Sequence, residues 1–365
     1  MKNFFKLTGI VLLILILIFA AYATYVFTSY HRIEDNLDVE VQTPAATSQN
    51  LSSQDLSSKN FLLTSWNIGF GAYTDQYSFF MDGGKYSRAF SKDAVISNMN
   101  DIASTLDDFH SDFTIVQETD IGSTRSYQVD ERQMLADVLD KNNDKYWTFA
   151  QNYDSPYLFY PLTSPHGKSR SGLMTFSDYQ ISSALRRSLP VQTDFAKILD
   201  LDRCYIINRI PVSDGKELVL INFHLSAYTT DPTIANQQLD LLYNDITKEY
   251  KKGNYVICGG DFNKDLLGNS PEIFGVSGEE YSWAQPFQKE NLPKHFSLQA
   301  PFDAENPVPS CRNADAPWDP ETNFQVTLDG FIVSDNVTVS ACRVVDTQFR
   351  YSDHNPVQLE FQLSK

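Results

Sequence analysis

Six places in the chain put a residue able to bind a metal or move a proton beside a short apolar run. Asn67 follows Phe61–Trp66 within SWNIGFG, and Glu118 follows Phe113–Gln117 within IVQETD. His224 closes Leu218–Phe223 within INFHLSAY, and Asp261 and Asn263 follow Tyr255–Gly259 within GGDFN. Asp329 opens DGFIV, and Asp353 and His354 stand in YSDHNPV, just before the last apolar run. Any one of these is an ordinary turn residue at a strand end. Six together, all of types that ligate cations or transfer protons, point to chemistry.

Cleaving a phosphate ester needs charge neutralised on the phosphoryl group, a water positioned and the leaving oxygen protonated. A hard divalent cation does the first and prefers oxygen ligands, which Glu118 and Asn67 supply. Asp261 and Asn263 alternate along an extended segment and are expected to share a face. One can then take a proton from water while the other holds a phosphoryl oxygen. His224 and His354 titrate near neutrality and suit acid and base work. Asp329 is placed to orient His354 and stabilise its charged form.

The elements that must carry these residues read as alternating strands and helices. The apolar runs above, with Gly330–Val333 and Val357–Phe361, are buried strands by length and content. Lys92–Phe109 and Thr233–Tyr250 show helical spacing, the first through Val95, Ile96, Met99, Ile102, Ala103 and Leu106. An α/β domain follows.

Upstream, Leu7 to Phe27 carries no charge and is long enough, at ~1.5 Å per residue, for a ~30 Å hydrocarbon core. Lys2 and Lys6 precede it, which predicts a cytoplasmic N-terminus (1–6), a transmembrane anchor (7–27) and an exported remainder. Ala21-Tyr22-Ala23 leaves a cleaved signal peptide, and so a secreted protein, as the alternative. Residues 28–60, which end in the Ser/Thr/Gln/Asn-rich run from Thr43 to Asn60, are expected to form a flexible linker. The folded domain is then 61–365.

The order Asn67, Glu118, His224, Asp261-x-Asn263, Asp329, Ser352-Asp353-His354 resembles the endonuclease/exonuclease/phosphatase (DNase I-like) superfamily, over Phe61 to Ser364. The resemblance implies a four-layer α/β sandwich, two packed mixed β-sheets flanked by helices, with the active site at one edge. It implies Mg²⁺, with Mn²⁺ or Ca²⁺ as alternatives, on Glu118 with Asn67 and Asp353 nearby. Asp261 and Asn263 would handle water and phosphate, and His224 would contact the phosphate or protonate the leaving group. His354 and Asp329 would form an acid/base pair. The expected partner is a phosphoester (nucleic acid, nucleotide or lipid head group), met by a monomer held to the membrane through its N-terminal helix.

The formal charge of −17, from 29 basic and 46 acidic residues, argues against a broad nucleic-acid surface. Local cations remain: Lys85 and Arg88 in an aromatic segment with Tyr73, Tyr77, Phe79, Phe80 and Tyr86, and Lys168 and Arg170 in PHGKSRSG. Either they bind substrate phosphate, or these are surface loops packing their aromatics on the domain. The four cysteines form no CxxC pair, against a Cys/His zinc site. DFNKDLLGNSPE matches calcium-loop positions at Asp261, Asn263, Asp265 and Glu272, but Leu266 stands where the sharp turn needs glycine. A catalytically silent surface binding module on the same fold is the alternative function.

Overall fold

The computed structural model describes residues 1–45, 59–192, 202–212, 215–227, 232–275 and 284–364. Helix α1 (Lys2–Ser29) has nearly all its apolar side chains exposed, and only Val26, close to its end, is buried. By length and composition it can cross a membrane.

Two strands follow where the sequence reads as linker. β1 (Leu37–Val39) and β2 (Val41–Gln42) pair with the edges of two different sheets. The expected linker at 28–60 is therefore corrected over its first half. Val39 and Val41 pack on the central core, and that apolar contact outweighs the polar composition around them. Residues 46–58 of that stretch lie outside the described ones.

The domain proper has β3 (Phe61–Asn67), α2 (Lys92–Asp108), β4 (Phe113–Asp120), α3 (Glu131–Leu139), β5 (Tyr146–Asp154), β6 (Arg170–Ser177), β7 (Ser183–Ser188), β8 (Cys204–Pro211) and β9 (Glu217–His224). Then come α4 (Pro232–Lys251), β10 (Tyr255–Asp261), α5 (Ser270–Phe274), β11 (Phe296–Gln299), β12 (Cys311–Arg312), β13 (Gln325–Val326), β14 (Asp329–Ser334), β15 (Val337–Val344) and β16 (Val357–Leu363). One seven-stranded sheet runs β1-β7-β8-β9-β10-β14-β11, and the other β15-β16-β3-β4-β6-β5-β2. The pairs β3–β4 and β9–β10 are parallel, joined by α2 and α4 respectively, and the other pairings are antiparallel. Both sheets are mixed, as expected.

Period-two alternation makes four layers. Phe113, Ile115, Leu220, Ile257, Phe331 and Val357 face the other sheet in a shared core. Val116 and Met174 face outward under α2, whose Val95, Met99, Ile102 and Leu106 cover them. Ile221, Val256 and Cys258 face outward under Leu242 and Ile246 of α4. Ser91 caps α2 by accepting the Ala94 N–H at 3.0 Å, one of the helix's otherwise orphaned donors.

Polar residues also cross between the sheets. The Gln117 side-chain amide donates to Asn222 Oδ1 at 2.8 Å, and Asn222 donates to the Val116 and Met174 carbonyls at 3.2 and 2.7 Å. These buried bonds tie the sheets one residue short of Glu118 and two short of His224, which fixes the distance across the edge where both stand.

Candidate active site

Strand register assembles one wall. Asp261, last in β10, is the Cα partner of His224 in β9 and of Asp329 in β14. The close approach requires Gly260, whose φ is +141°, because a Cβ there would lie 2.0 Å from the Phe223 carbonyl oxygen. Asp261 sits between two imidazoles. Its Oδ2 is 3.4 Å from His224 Nε2 and 3.7 Å from His354 Nε2. His354 Nδ1 bonds Asp329 Oδ2 at 2.8 Å, and that oxygen also accepts the Ser310 hydroxyl at 2.7 Å.

The other wall comes from the second sheet. Asn67 ends β3 opposite Gln117 of β4. The β4–β6 register then slips between Val116 and Thr119, and Glu118 takes φ +59°. This is a bulge with a left-handed non-glycine residue, a device that re-aims a side chain at the cost of local strain. The chain just beyond it is firmly anchored. Asp120 is held by Arg125 through both carboxylate oxygens, at 3.0 and 2.8 Å, and its N–H is held by buried Glu131 at 2.8 Å.

The third wall is the loop before β16. Ser352 Oγ donates to the Asn67 carbonyl at 2.7 Å, and Trp66 Nε1 donates to the His354 carbonyl at 2.8 Å. The Arg312 N–H donates to the Asp353 carbonyl at 2.9 Å. Tyr73, Glu118, Arg203, His224, Asp261, Asn263, Arg312, Asp353 and His354 all line one cavity of about 100 Å³.

Of the residues singled out in the sequence, Glu118, His224, Asp261, Asn263, Asp353 and His354 line that cavity, with Asp329 directly behind His354. Asn67 meets it differently from expectation. Its Oδ1 accepts the Gly69 N–H at 3.1 Å, while its Nδ2 donates to Glu118 Oε1 at 3.0 Å and Asp261 Oδ2 at 3.2 Å. It is a brace between two carboxylates, with its oxygen turned away. Asn263 is not extended either. Its φ is +50°, its N–H donates to Asp261 Oδ1 at 2.8 Å and its side-chain amide to the Leu225 carbonyl at 2.8 Å. Local hydrogen bonding, rather than strand alternation, puts it beside Asp261.

The four loop cations do not reach the cavity. Arg88 donates to the Pro165 carbonyl, Lys168 pairs with Asp154 at 3.4 Å and Lys85 lies over the Tyr86 ring. Arg170 flanks Gly122. The aromatics beside them pack inward, with Tyr73, Tyr77 and Phe79 all buried. Arg203 and Arg312 line the cavity instead, and the sequence offers no pattern that marks them. In the calcium-loop alternative, both Asp265 oxygens are taken by Leu267, Gly268 and Ser270, and Glu272 is exposed.

The electrostatics follow from burial and crowding. Burial, then the Asp329 carboxylate, pushes Asp261 up to about 7. Burial, with Glu118 nearby, pushes Asp353 up to about 6. Burial opposes charge on His354, yet Asp329 holds it well above the ordinary histidine range. Burial, then Arg203 and His354, holds His224 well below that range. Two buried atoms here, His224 Nδ1 and Asp329 Oδ1, have no protein partner. The donor chemistry fits a divalent cation, since Glu118, Asp261 and Asp353 bring hard oxygens to one small cavity. Asp261, Asp329 and His354 also offer ligand atoms within 4.8 Å of one another, with His354 Nδ1 already bonded to Asp329 Oδ2.

Over residues 64–354 the sequence matches the model of the Endonuclease/Exonuclease/phosphatase family. No curated protein matches it. Among solved structures, it is similar to ANGEL2, a 2′,3′-cyclic phosphatase, in complex with adenosine-2′,3′-vanadate, with TM-score 0.55 and 15% identity over 90% of this chain and 99% of that one. It is similar to an endonuclease/exonuclease/phosphatase from Beutenbergia cavernae, with TM-score 0.54 and 14% identity over 84% and 72%. A third, from Bacteroides vulgatus, has TM-score 0.50 and 14% identity over 84% and 100%. At such identities the likeness shows the fold.

Proposed function

The chain belongs to the endonuclease/exonuclease/phosphatase family, whose members hydrolyse phosphoester bonds, and from that premise we propose that it is a divalent-metal-dependent phosphoesterase on the outer side of a membrane. One observation carries the reading. A buried carboxylate, Asp261, lies between two imidazoles and faces further carboxylates across one small cavity. A protein that only bound a ligand would not need buried carboxylates set against imidazoles in this way, since each ionised group costs energy out of water.

Glu118 and Asp353 would hold the cation, Mg²⁺ by preference, with Asn67 bracing Glu118 against Asp261. When bound, the cation neutralises charge on the phosphoryl oxygens. Asp261, poised near neutrality, takes the proton from the attacking water. The Asn263 amide spends one hydrogen on Leu225 and keeps a second for a phosphoryl oxygen. His354, kept charged by Asp329, faces the same oxygens as a donor and supplies a proton as the ester bond breaks. His224 is neutral, and its ring places a hydrogen-bonding nitrogen at the phosphate.

The location rests on α1. Lys2 and Lys6 stand at its start, against Arg32 alone among lysines and arginines just after it, and this positive-inside bias favours a domain outside, on a single-pass anchor. The domain begins at β1, since residues 37–42 complete both sheets.

The test is a panel on the full chain: nucleic acids, 2′,3′-cyclic nucleotides, sphingomyelin, phosphoinositides and nitrophenyl esters, each with Mg²⁺, Mn²⁺, Ca²⁺ or EDTA. Turnover is expected with metal and lost in EDTA, and Glu118→Ala or His354→Ala abolishes it. Unchanged turnover in both variants sinks the assignment. Ligand binding with no hydrolysis under any metal favours the silent binding module.

A further inference from the structure

The end of α1 does not swing free of the domain. The Tyr22 hydroxyl donates to the Tyr157 carbonyl at 3.3 Å and accepts the Phe159 N–H at 3.2 Å. The Tyr25 hydroxyl accepts the Tyr157 N–H at 3.0 Å, and the Tyr22 and Phe159 rings meet edge to face at 5.2 Å. The helix is therefore bonded, through tyrosines inside its apolar run, to the loop between β5 and β6.

That loop carries the least expected side chains on the domain surface. Phe159 is 50% exposed, Tyr160 71% and Leu162 84%. Three large apolar groups within four residues, on a domain as acidic as this, are costly in water. The depth of the loop is set by the helix. A 28-residue helix is about 42 Å long, against a ~30 Å hydrocarbon core. If Leu7–Phe27 lies in that core, Tyr22 and Tyr25 stand at its outer boundary, the level that tyrosine favours. The backbone groups they bind must then lie at that level too.

The cleft is built on the same loops. A second chamber of about 110 Å³ shares Tyr73, Glu118, Arg203 and His224 with the catalytic cavity and is lined further by Phe79, Met81, Tyr153 and His166. His166 belongs to the exposed loop, and Phe80 packs on both Tyr160 and His166, at 5.8 and 5.9 Å. The two loops interlock beside this tip, where Arg88 donates to the Pro165 carbonyl and the Ser87 hydroxyl to the Ser164 carbonyl.

We infer that the loop tip at Phe159, Tyr160 and Leu162 rests in the head-group layer of the membrane that α1 crosses, and that it holds the second chamber at that surface to receive phosphoesters borne by the bilayer. The inference rests on the membrane reading of α1 given above. It makes the tip a second membrane contact that fixes the domain's orientation.

The full chain is reconstituted in vesicles containing acyl-brominated phosphatidylcholine, and the emission added by Leu162→Trp over the parent protein is measured. Phe302→Trp is the control, because it follows β11, at the opposite sheet edge from β1. Quenching of the Leu162→Trp increment, with Phe302→Trp unaffected, is expected. An unquenched increment on protein that still floats with the vesicles overturns the inference and spares the anchor. Protein that does not float overturns both.

A second arm uses the same bond in two settings, bis(nitrophenyl) phosphate in water and hexadecyl nitrophenyl phosphate in vesicles. Replacing Phe159, Tyr160 and Leu162 together by Ser should leave the soluble ester's turnover unchanged. It should cost the vesicle ester at least about tenfold, corresponding to about 1.4 kcal/mol. Equal turnover of both esters by variant and parent refutes the role in substrate presentation. Failure of the parent on both esters indicts the phosphoesterase reading, and the quenching result still stands by itself.

Discussion

Asn67→Asp separates two roles that the residue type alone confuses. If Asn67 were an oxygen ligand, Asp would keep that ligand and add charge, and cation affinity would hold or rise. In the structure its nitrogen does the work, donating to Glu118 at 3.0 Å and to Asp261 at 3.2 Å. A carboxylate in its place would have no hydrogen for either and would set a third negative charge between them. Hydrogen bonds to charged groups contribute about 1.5–3 kcal/mol each, so losing both costs about 3–6 kcal/mol of active-site placement. At ~1.36 kcal/mol per decade, turnover should fall by about 10²–10⁴. The added charge also disfavours ionised Asp261, already up at about 7, so the acid limb of the pH profile should move to higher pH. The assay is kcat against pH with saturating Mg²⁺, alongside Mn²⁺ titration followed by electron paramagnetic resonance. Asn67→Asp protein with near-parental turnover and undiminished Mn²⁺ affinity would refute the brace and restore the ligand.

Asp329→Asn keeps the shape behind His354 and removes the charge that raises its pKa, so turnover should drop by about 10²–10⁴. The basic limb of its pH profile should shift to lower pH, and an unshifted limb means His354 is not the acid. Gly260→Ala puts a methyl 2.0 Å from the Phe223 carbonyl oxygen, so β9 and β10 must part where His224 meets Asp261. A loss of about 3–5 kcal/mol in urea unfolding is expected together with lost turnover, and an unchanged midpoint contradicts the register. Away from the site, burial works against charge on Glu249, yet bonds from Arg209, Lys252 and Asn254 hold it down at about 2. A depressed carboxylate contributes fully above its unfolded value of about 4.5 and less as pH falls toward 2. Glu249→Gln should therefore cost about 1–2 kcal/mol at pH 7, after allowance for the part-exposed guanidinium. Its urea midpoint should converge on the parent's between pH 4.5 and 2, and a constant gap would rule out this linkage.

The legible part of the fold is the part with continuous apolar runs. Both parallel pairs with their helices are visible in the sequence, because strands buried on both faces spell out their burial. β5 and β15 are not, because their inward residues alternate with outward ones, as in TFAQN and TVSAC. β7 hides behind SALRRS, where buried Arg186 spends its guanidinium on the Gln151, Glu34 and Asp202 carbonyls. An arginine used in that way looks like solvated surface from composition alone.

The site divides along a similar line. Asp261, Asp329, His224 and His354 are legible because a costly polar group at a buried strand end must have a use. Arg312 and Ser310 are not, since a two-residue strand and the residue before it are too short to show a period, although Ser310 holds Asp329 at 2.7 Å. The loop cations mislead for the converse reason. A cation among aromatics looks the same whether it faces a phosphate or a neighbouring carbonyl, and only the packing of distant loops decides. The finest errors come at the strand ends themselves. Alternation predicts where a side chain points only while the backbone stays extended, and Glu118 and Asn263 both leave it for positive φ. Those two departures aim the carboxylate and the amide into one cavity. The positions where period-two reasoning fails are thus the positions where the fold is bent to serve the site.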